Sequence, residues 1–409
     1  MAPKRPISAV DGTEETDQEA LNRATARQQR VASPSPKPFA TLQSLELPSK
    51  DWSPKPVAFQ KPLQLISFSY TPERQLVFDN SALRFWVEPP RNADLSYRYA
   101  HWIKRREEKG RLDGLLKAIS EDACKDARSR AHVVCWRGIL CKILIAPYED
   151  RNGWTLNVMM VNNRLYFEEH ITEEQLAEVD GMPEKNRQQT YYGYSFESWC
   201  TSTRPRRRGD KAEWGGDVDT NVQWCSVVKG KMGESRILIG GEVDCVRDTY
   251  TGQPDTFVEL KTSMSIRPGN ASDELRFEKK LLKFYFQSFL LGVPEIMVGF
   301  RDFKGHLKTL QSFKTLEIPR MVRGKPNSWD PNLCLAWGEK FLGQVREWMV
   351  EGTTSTTKSG VFVGRLIFTP GHGVAFKELD SVEIEEVQAG EERVGFLPSW
   401  YISQGDGAG

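Results

Sequence analysis

The chain has 409 residues, with 56 Lys and Arg against 55 Asp and Glu and a formal net charge of +1. That balance excludes a polycation held to nucleic acid by bulk charge. No run of ~18 apolar residues is present and the start, MAPKRPISAVDG, has no hydrophobic stretch, so neither a membrane span nor a secretory signal is expected and the protein reads as soluble and intracellular.

Residues 1 to about 60 are rich in Pro, Ser, Gln, Arg and Lys and poor in aromatics. Such a segment cannot bury enough apolar surface to offset its ordering entropy, so a disordered tail is expected over 1–60. LQLISFSY opens the folded body at Leu63 as a strand, and one domain is expected over 61–402, with a flexible end at 403–409. RYAHWIKRREEKGRLDGLLKAISEDACKD reads as mainly helical, interrupted at Gly110. AHVVCWRGILCKILIAP reads as a strand followed by a buried strand or helix. GWTLNVMMVNNRLYFEEH alternates around Asn162-Asn163 and predicts a hairpin. ITEEQLAEVDG predicts a helix ending at Gly181. The loop RPRRRGDKAEWGGDVD should be exposed. Three strands follow in NVQWCSVVKG, ESRILIGGEVDCV and DTFVELKTSMS. ELRFEKKLLKFYFQSFLLG has apolar residues at helical spacing and stops at Gly292. EIMVGFRD is a strand, LCLAWGEKFLGQVREWMV a helix, TTSTTKSG a polar linker, and the last block returns to strand patterning before FLPSWYISQ.

The seven Cys include no CxxC pair and fit reduced thiols, and the five His form no closely spaced ligand pair, so zinc is not expected. Any metal must be held by carboxylates. Residues i and i+2 of a strand share a face. Glu242 and Asp244 in GGEVDC therefore point together, as do Glu259 and Lys261 in FVELKTS. Three carboxylates and one ammonium on neighbouring apolar strands repel one another unless a cation neutralises them, and a hard divalent ion such as Mg²⁺ or Mn²⁺ does so through oxygen ligands. This chemistry suits phosphodiester or pyrophosphate hydrolysis, with Lys261 positioning the water or offsetting phosphoryl charge. An ordinary wet sheet face is the other reading of the same pattern. Gly240 and Gly241, which permit close approach, favour the metal site.

Asp followed by Glu-x-Lys resembles the core of the PD-(D/E)xK nucleases, with Gln287 on the helix that follows. Read in order, CWRG (135–138), GYSFE (193–197), TNVQWCSVV (220–228), GGEVDC, ELKTS, KLLKFYFQSFLLGVP, VGFRD (298–302) and FLPSWY (396–401) resemble the decapping exoribonuclease family, the DXO/Rai group of RNA 5′-end quality-control enzymes. The likeness spans roughly residues 63–401 and is nearest to the fungal nuclear members. It implies an α/β fold, mixed sheets with a PD-(D/E)xK core surrounded by helices. It implies Glu197, Glu242, Asp244 and Glu259 as metal ligands with the Leu260 carbonyl, Lys261 as the active-site lysine, and Gln287 as a substrate contact. Arg137 matches an arginine at the RNA 5′ phosphate, flanked in its motif by Trp136 and Gly138. Arg74 and Cys225 match further substrate-lining positions. One departure is Gly110, where some relatives place an acidic contact before RLDxLL; Glu107 or Glu108 stands nearby. The basic run 204–208 matches no family motif.

The resemblance implies hydrolysis of RNA 5′ ends with two divalent ions, Mg²⁺ or Mn²⁺, acting on 5′-triphosphates, incompletely methylated caps and NAD-type caps, with 5′→3′ exonuclease activity in some members. It further implies a nuclear location and a partner, a large 5′→3′ exoribonuclease. A non-catalytic stabilising subunit, a cytoplasmic paralogue and a DNA nuclease of the same core are the alternatives.

Overall fold

The computed structural model describes residues 43–49, 52–205, 213–326, 328–355 and 361–404. It has two large mixed sheets. In chain order the strands are β1 (Gln43–Glu46), β2 (Leu63–Tyr70), β3 (Leu76–Val77), β4 (Phe85–Trp86), β5 (Val133–Trp136), β6 (Trp154–Val161), β7 (Arg164–Glu169) and β8 (Thr201–Ser202). There follow β9 (Gln223–Met232), β10 (Ser235–Glu242), β11 (Cys245–Val246), β12 (Phe257–Met264), β13 (Glu295–Arg301), β14 (Leu307–Lys314), β15 (Gly364–Thr369) and β16 (Gly373–Glu378). The larger sheet runs β1-β16-β15-β6-β7-β5-β10-β9-β2-β3 and the smaller β14-β13-β12-β11-β4-β8. Parallel pairs (β10 with β5, β5 with β7, β12 with β13, β11 with β4) mix with antiparallel ones in both.

Strand alternation layers the molecule. Val133, Ile237 and Ile239 join one apolar cluster with the helices Arg137–Ile145, Ala271–Leu291 and Pro331–Ser355, whereas Val134 and Leu238 join a second with the helix Asp113–Ser120. The smaller sheet divides the same way. Ile296 and Val298 face the first cluster, while Val258, Leu260 and Met297 pack with Phe196 of the helix Glu184–Cys200. Period-two patterning thus places helices on both faces of both sheets.

Several expectations hold in detail. LQLISFSY is β2, and Asn162 and Asn163 take φ of 51° and 60° in the β6–β7 hairpin, the doubly left-handed turn that asparagine tolerates. Gly292 ends its helix at φ 75° and Asn270 caps the start through its side chain. All seven cysteines are free and buried.

Others need correction. Within the expected tail, 43–46 form an edge strand on β16; residues 1–42 lie outside the described residues, as do most of the 204–208 run, the linker beyond 355, and 405–409. The stretch 99–111 is not a helix. After a short 3-10 turn, Tyr99–His101, the chain is drawn alongside 218–220, Ile103 bridging Asp219 and the Arg105 N–H donating to Thr220 Oγ1 at 2.8 Å, so pairing with a distant segment replaces the local helix. The last block contains a helix, Ser381–Gln388, opened by an Asp380–Glu383 capping box.

Candidate active site

The chain crosses from one sheet to the other at the site. β10 ends at Glu242, Val243 and Asp244 are irregular, and β11 begins at Cys245 in the smaller sheet. Glu242 and Asp244 are therefore not two residues of one strand, and Glu242 and Glu259 belong to different sheets, which corrects the picture of two neighbouring strands. Glu259 and Lys261 do share a face of β12, and the Lys261 Nζ donates to Glu259 Oε1 at 2.7 Å. β11 pairs with β12 only as far as Val258, and beyond that Asp244 Oδ2 takes the strand partner's place by accepting from the Leu260 N–H at 2.6 Å.

Glu197 reaches the same place from the helix Glu184–Cys200, which is held by buried Tyr191, Tyr192, Phe196 and Cys200. Arg137 is the first residue of the helix Arg137–Ile145, immediately after β5, and its Nη1 donates to Glu259 Oε2 at 3.0 Å and to the Gln287 carbonyl at 3.4 Å. The two glycines before Glu242 admit these neighbours. A Cβ on Gly240 would stand 2.8 Å from the Trp136 ring, and one on Gly241 2.8 Å from Leu291 and 3.1 Å from the Arg137 Cβ.

Charge is concentrated here away from water. Burial, then Asp244 and Glu242, pushes the Glu197 carboxyl well above the usual range; burial and then Glu259 push Asp244 up to about 7; burial raises Glu242. Glu259 moves the other way. Burial is again the largest influence and opposes ionisation, but Arg137 and Lys261 together outweigh it. Lys261 stays protonated because Glu259 and Asp244 outweigh its own burial. Four carboxyl groups crowd Arg137 and Lys261, an excess of acid over these two cations that holds Glu197 and Asp244 toward the neutral form.

That excess, on oxygen donors alone, fits a hard divalent cation. Among the described residues no three acidic, His or Cys side chains stand converged as a finished metal cage. Their oxygens are engaged instead by Lys261, Arg137, the Leu260 amide and Gln223. The donor set and its charge fit a metal, and holding one requires these internal bonds to yield.

Cys225 lies opposite Glu242 on β9 and opposite Phe68 on β2, a buried thiol whose pKa rises through burial and then Glu242. Arg74 sits at φ 60° with its guanidinium 3.9 Å above the Tyr70 ring. Trp136 is anchored through its Nε1 to the Arg111 carbonyl, and Gly138 has open space around it. Gln287 contributes its carbonyl to Arg137.

A cavity of roughly 240 Å³ adjoins Glu197, Glu242 and Asp244 and is walled by residues that sequence reasoning did not single out: Arg84, Lys104, Arg105, Tyr194, Gln223 and Trp224. Arg84 is held largely away from water, its pKa is lowered by burial, and its guanidinium makes no ion pair or hydrogen bond among the described residues. Lys283, one helical turn before Gln287, is likewise pushed down by burial, with positive Lys142 and Lys261 nearby. Tyr194, Gln223, Trp224 and Lys283 lie within GYSFE, TNVQWCSVV and KLLKFYFQSFLLGVP, whereas none of those motifs contains Arg84, Lys104 or Arg105. A pairing that fails to occur is visible only in three dimensions.

Residues 60–402 match the family model described as RAI1 like PD-(D/E)XK nuclease. The chain is 36% identical to the protein named decapping nuclease RAI1 of Mycosarcoma maydis, over 83% of this chain and 86% of that protein. It is 31% identical to the decapping and exoribonuclease protein of Xenopus laevis, over 96% and 99%. Among solved structures, S. pombe Rai1 in complex with 3′-FADP superposes with a TM-score of 0.66 at 27% identity, covering 83% of this chain and all of that one. Candida albicans Rai1 in complex with pU5-Mn²⁺ shares the fold with a TM-score of 0.74 at 24% identity, over 89% and 98%.

Proposed function

The chain belongs to the RAI1-like PD-(D/E)XK nuclease family, and from that premise we propose that its buried carboxylate site removes defective or non-canonical 5′ ends from RNA with the help of divalent metal. One observation carries this reading. Carboxylates from a helix and from two sheets meet where β10 leaves one sheet and β11 enters the other, close enough that their repulsion adds to burial in raising Glu197 and Asp244.

Glu197, Glu242, Asp244 and Glu259, with the Leu260 carbonyl, are the oxygen donors that would hold the ions, two of Mg²⁺ or Mn²⁺. When bound, such ions lower the pKa of a water and stabilise the charge of a leaving oxygen. The remaining work falls to the chain's own groups. Lys261, paired with Glu259 Oε1 at 2.7 Å, serves to position the attacking water and to offset charge on a phosphoryl group. Arg137 presents a planar guanidinium held in orientation by Glu259 and the Gln287 carbonyl, which suits a phosphate. Gln287 itself contacts the substrate from the same helix.

The substrate classes are 5′-triphosphate RNA, incompletely methylated caps and dinucleotide caps of the NAD type, with 5′→3′ trimming of what remains. The 3′-FADP complex of S. pombe Rai1 supports the dinucleotide class. A nuclear location beside a large 5′→3′ exoribonuclease completes the reading, on the likeness to proteins named RAI1, and co-purification of that enzyme from nuclear extract tests it.

The double substitution Glu242→Ala/Asp244→Ala tests the site. We expect hydrolysis of 5′-triphosphate RNA in Mn²⁺ to fall at least ~100-fold, as losses around a metal site commonly do. Mn²⁺ should raise the melting temperature of the wild type and leave that of the variant unchanged. Hydrolysis at the wild-type rate by the variant would overturn the assignment.

A further inference from the structure

Gln223 makes three contacts with charged groups through one side chain. Its Oε1 accepts from Arg74 Nη1 at 2.7 Å and from Arg105 Nη1 at 3.0 Å, and its Nε2 donates to Glu242 Oε2 at 2.8 Å. The orientation of the amide is fixed by chemistry, since a guanidinium has only donors and a carboxylate only acceptors. Arg74 and Arg105 come from distant turns of the chain. Arg74 follows β2, tied by its Nη1 to the Asn221 carbonyl at 2.9 Å, and Arg105 lies on the extended strip whose backbone is pinned to Thr220 at 2.8 Å.

The two guanidiniums share one neutral oxygen, and neither forms an ion pair with a carboxylate among the described residues. Burial, then the neighbouring Arg105, disfavours the charge on Arg74. Each side chain spends one of its nitrogens on Gln223 and keeps others for an incoming acceptor, and a phosphate group with several anionic oxygens matches two adjacent guanidiniums. The same amide, through its other end, fixes Glu242 relative to that pair. Arg105, Gln223 and Glu242 all wall the cavity beside the carboxylates.

We propose that Gln223 is a positioning residue that holds Arg74 and Arg105 together as a clamp for the terminal phosphates of an RNA 5′ end and ties the clamp to Glu242. The inference rests on the reading of the site as acting on RNA 5′ ends. Arg105 thereby becomes a substrate contact, and Gln223 sets how a 5′-phosphorylated end is registered against the hydrolytic carboxylates.

The full chain is tested with a 3′-labelled pentanucleotide RNA bearing either a 5′-triphosphate or a 5′-hydroxyl. Binding is followed by fluorescence anisotropy, and turnover by kcat and KM. Gln223→Met removes the acceptor and the donor, and is expected to lower the preference for triphosphate over hydroxyl RNA about tenfold, with hydroxyl RNA bound as before. Gln223→Glu keeps an acceptor for both guanidiniums but turns an oxygen toward Glu242, so it should retain the binding preference and KM while losing kcat. Should Gln223→Met fail to fold, Arg105→Gln carries the same binding test with the same expected loss. An unchanged preference in Gln223→Met or Arg105→Gln, or an equal loss for both RNAs, overturns the proposal. The two readings fail separately. A wild type that binds both RNAs equally well removes the clamp whatever it hydrolyses, and one that keeps the preference without hydrolysing any 5′ end removes the enzymatic reading alone.

Discussion

At the scale of single residues, the site separates charges whose partners are internal from charges whose partners are not. Arg137 and Lys261 are both satisfied by Glu259, and that carboxylate is pulled below its usual range in consequence. Arg84 lies on the cavity wall with burial against its charge and no partner for its guanidinium among the described residues. An uncompensated charge away from water costs stability, so a chain retains it at a position where a ligand supplies the counter-charge. Arg84→Met is therefore expected to unfold at slightly higher urea concentration than the wild type, while its affinity for single-stranded RNA falls about tenfold and becomes less dependent on salt. Urea titration together with anisotropy at two salt concentrations checks both halves. A variant that is less stable and binds RNA normally would make Arg84 a structural residue.

Among the elements, the junction between β10 and β11 decides most. Gly241 lies against the first residue of the Arg137–Ile145 helix and the last residue of the Ala271–Leu291 helix, so two helices close on the strand end that delivers Glu242. Neither glycine of the pair has a positive φ, so what they provide is room for neighbours. Gly241→Ala is expected to destabilise the fold by about 1–3 kcal/mol, the usual cost of overpacking. Leu291 can swing its terminal methyl away, whereas the Arg137 Cβ is fixed by the helix start. Turnover should consequently fall more than the loss of folded protein explains, which urea unfolding and kcat measured on the same preparation will show. Turnover scaling only with the folded fraction would separate Arg137 placement from catalysis. The helix Glu184–Cys200 illustrates the limits of pattern: it is rich in aromatic and hydroxyl side chains and carries Gly193 midway, features of weak intrinsic helicity, and it forms because Tyr192 and Phe196 bury against the smaller sheet while Tyr191 packs on Tyr99 and Trp102.

For the molecule as a whole, response to acid follows from histidine burial. His170, at the end of β7, has its pKa lowered from 6.5 to about 4 by burial first and then by Arg365 and Lys109, with Lys377 acting the same way and Glu383 against it. The unfolded chain takes up this proton before the folded one does. Stability from this group is therefore intact above about pH 6.5, declines as the pH falls through the interval, and is fully lost below about 4. Buried carboxylates such as Glu168, raised to about 7 by burial, act in the opposite sense over part of that range. The difference between chains isolates the histidine: His170→Gln should lose less stability than the wild type between pH 7.5 and pH 5 in urea unfolding. Equal losses would place the His170 proton uptake outside this window.

How much of this was legible beforehand depends on how local the cause is. The β2 strand, the Asn162-Asn163 turn, the Gly292 helix stop and the Glu259-x-Lys261 face are written in neighbouring residues, because period-two alternation, left-handed φ tolerance and capping act over a few positions. The order of motifs carried the family, and with it Glu197, Glu242, Asp244 and Arg137. The tertiary structure alone decided that Glu242 and Asp244 straddle two sheets, that 103–105 run extended beside 218–220, and that Gln223 joins two arginines to Glu242. Each of these arises between segments far apart in the chain, where pairing energy from a distant partner overrides local preference. The near-even balance of 56 basic and 55 acidic residues likewise says nothing of where they stand; burial and packing gather an excess of carboxylates at one sheet crossing, and the site's chemistry follows from that gathering.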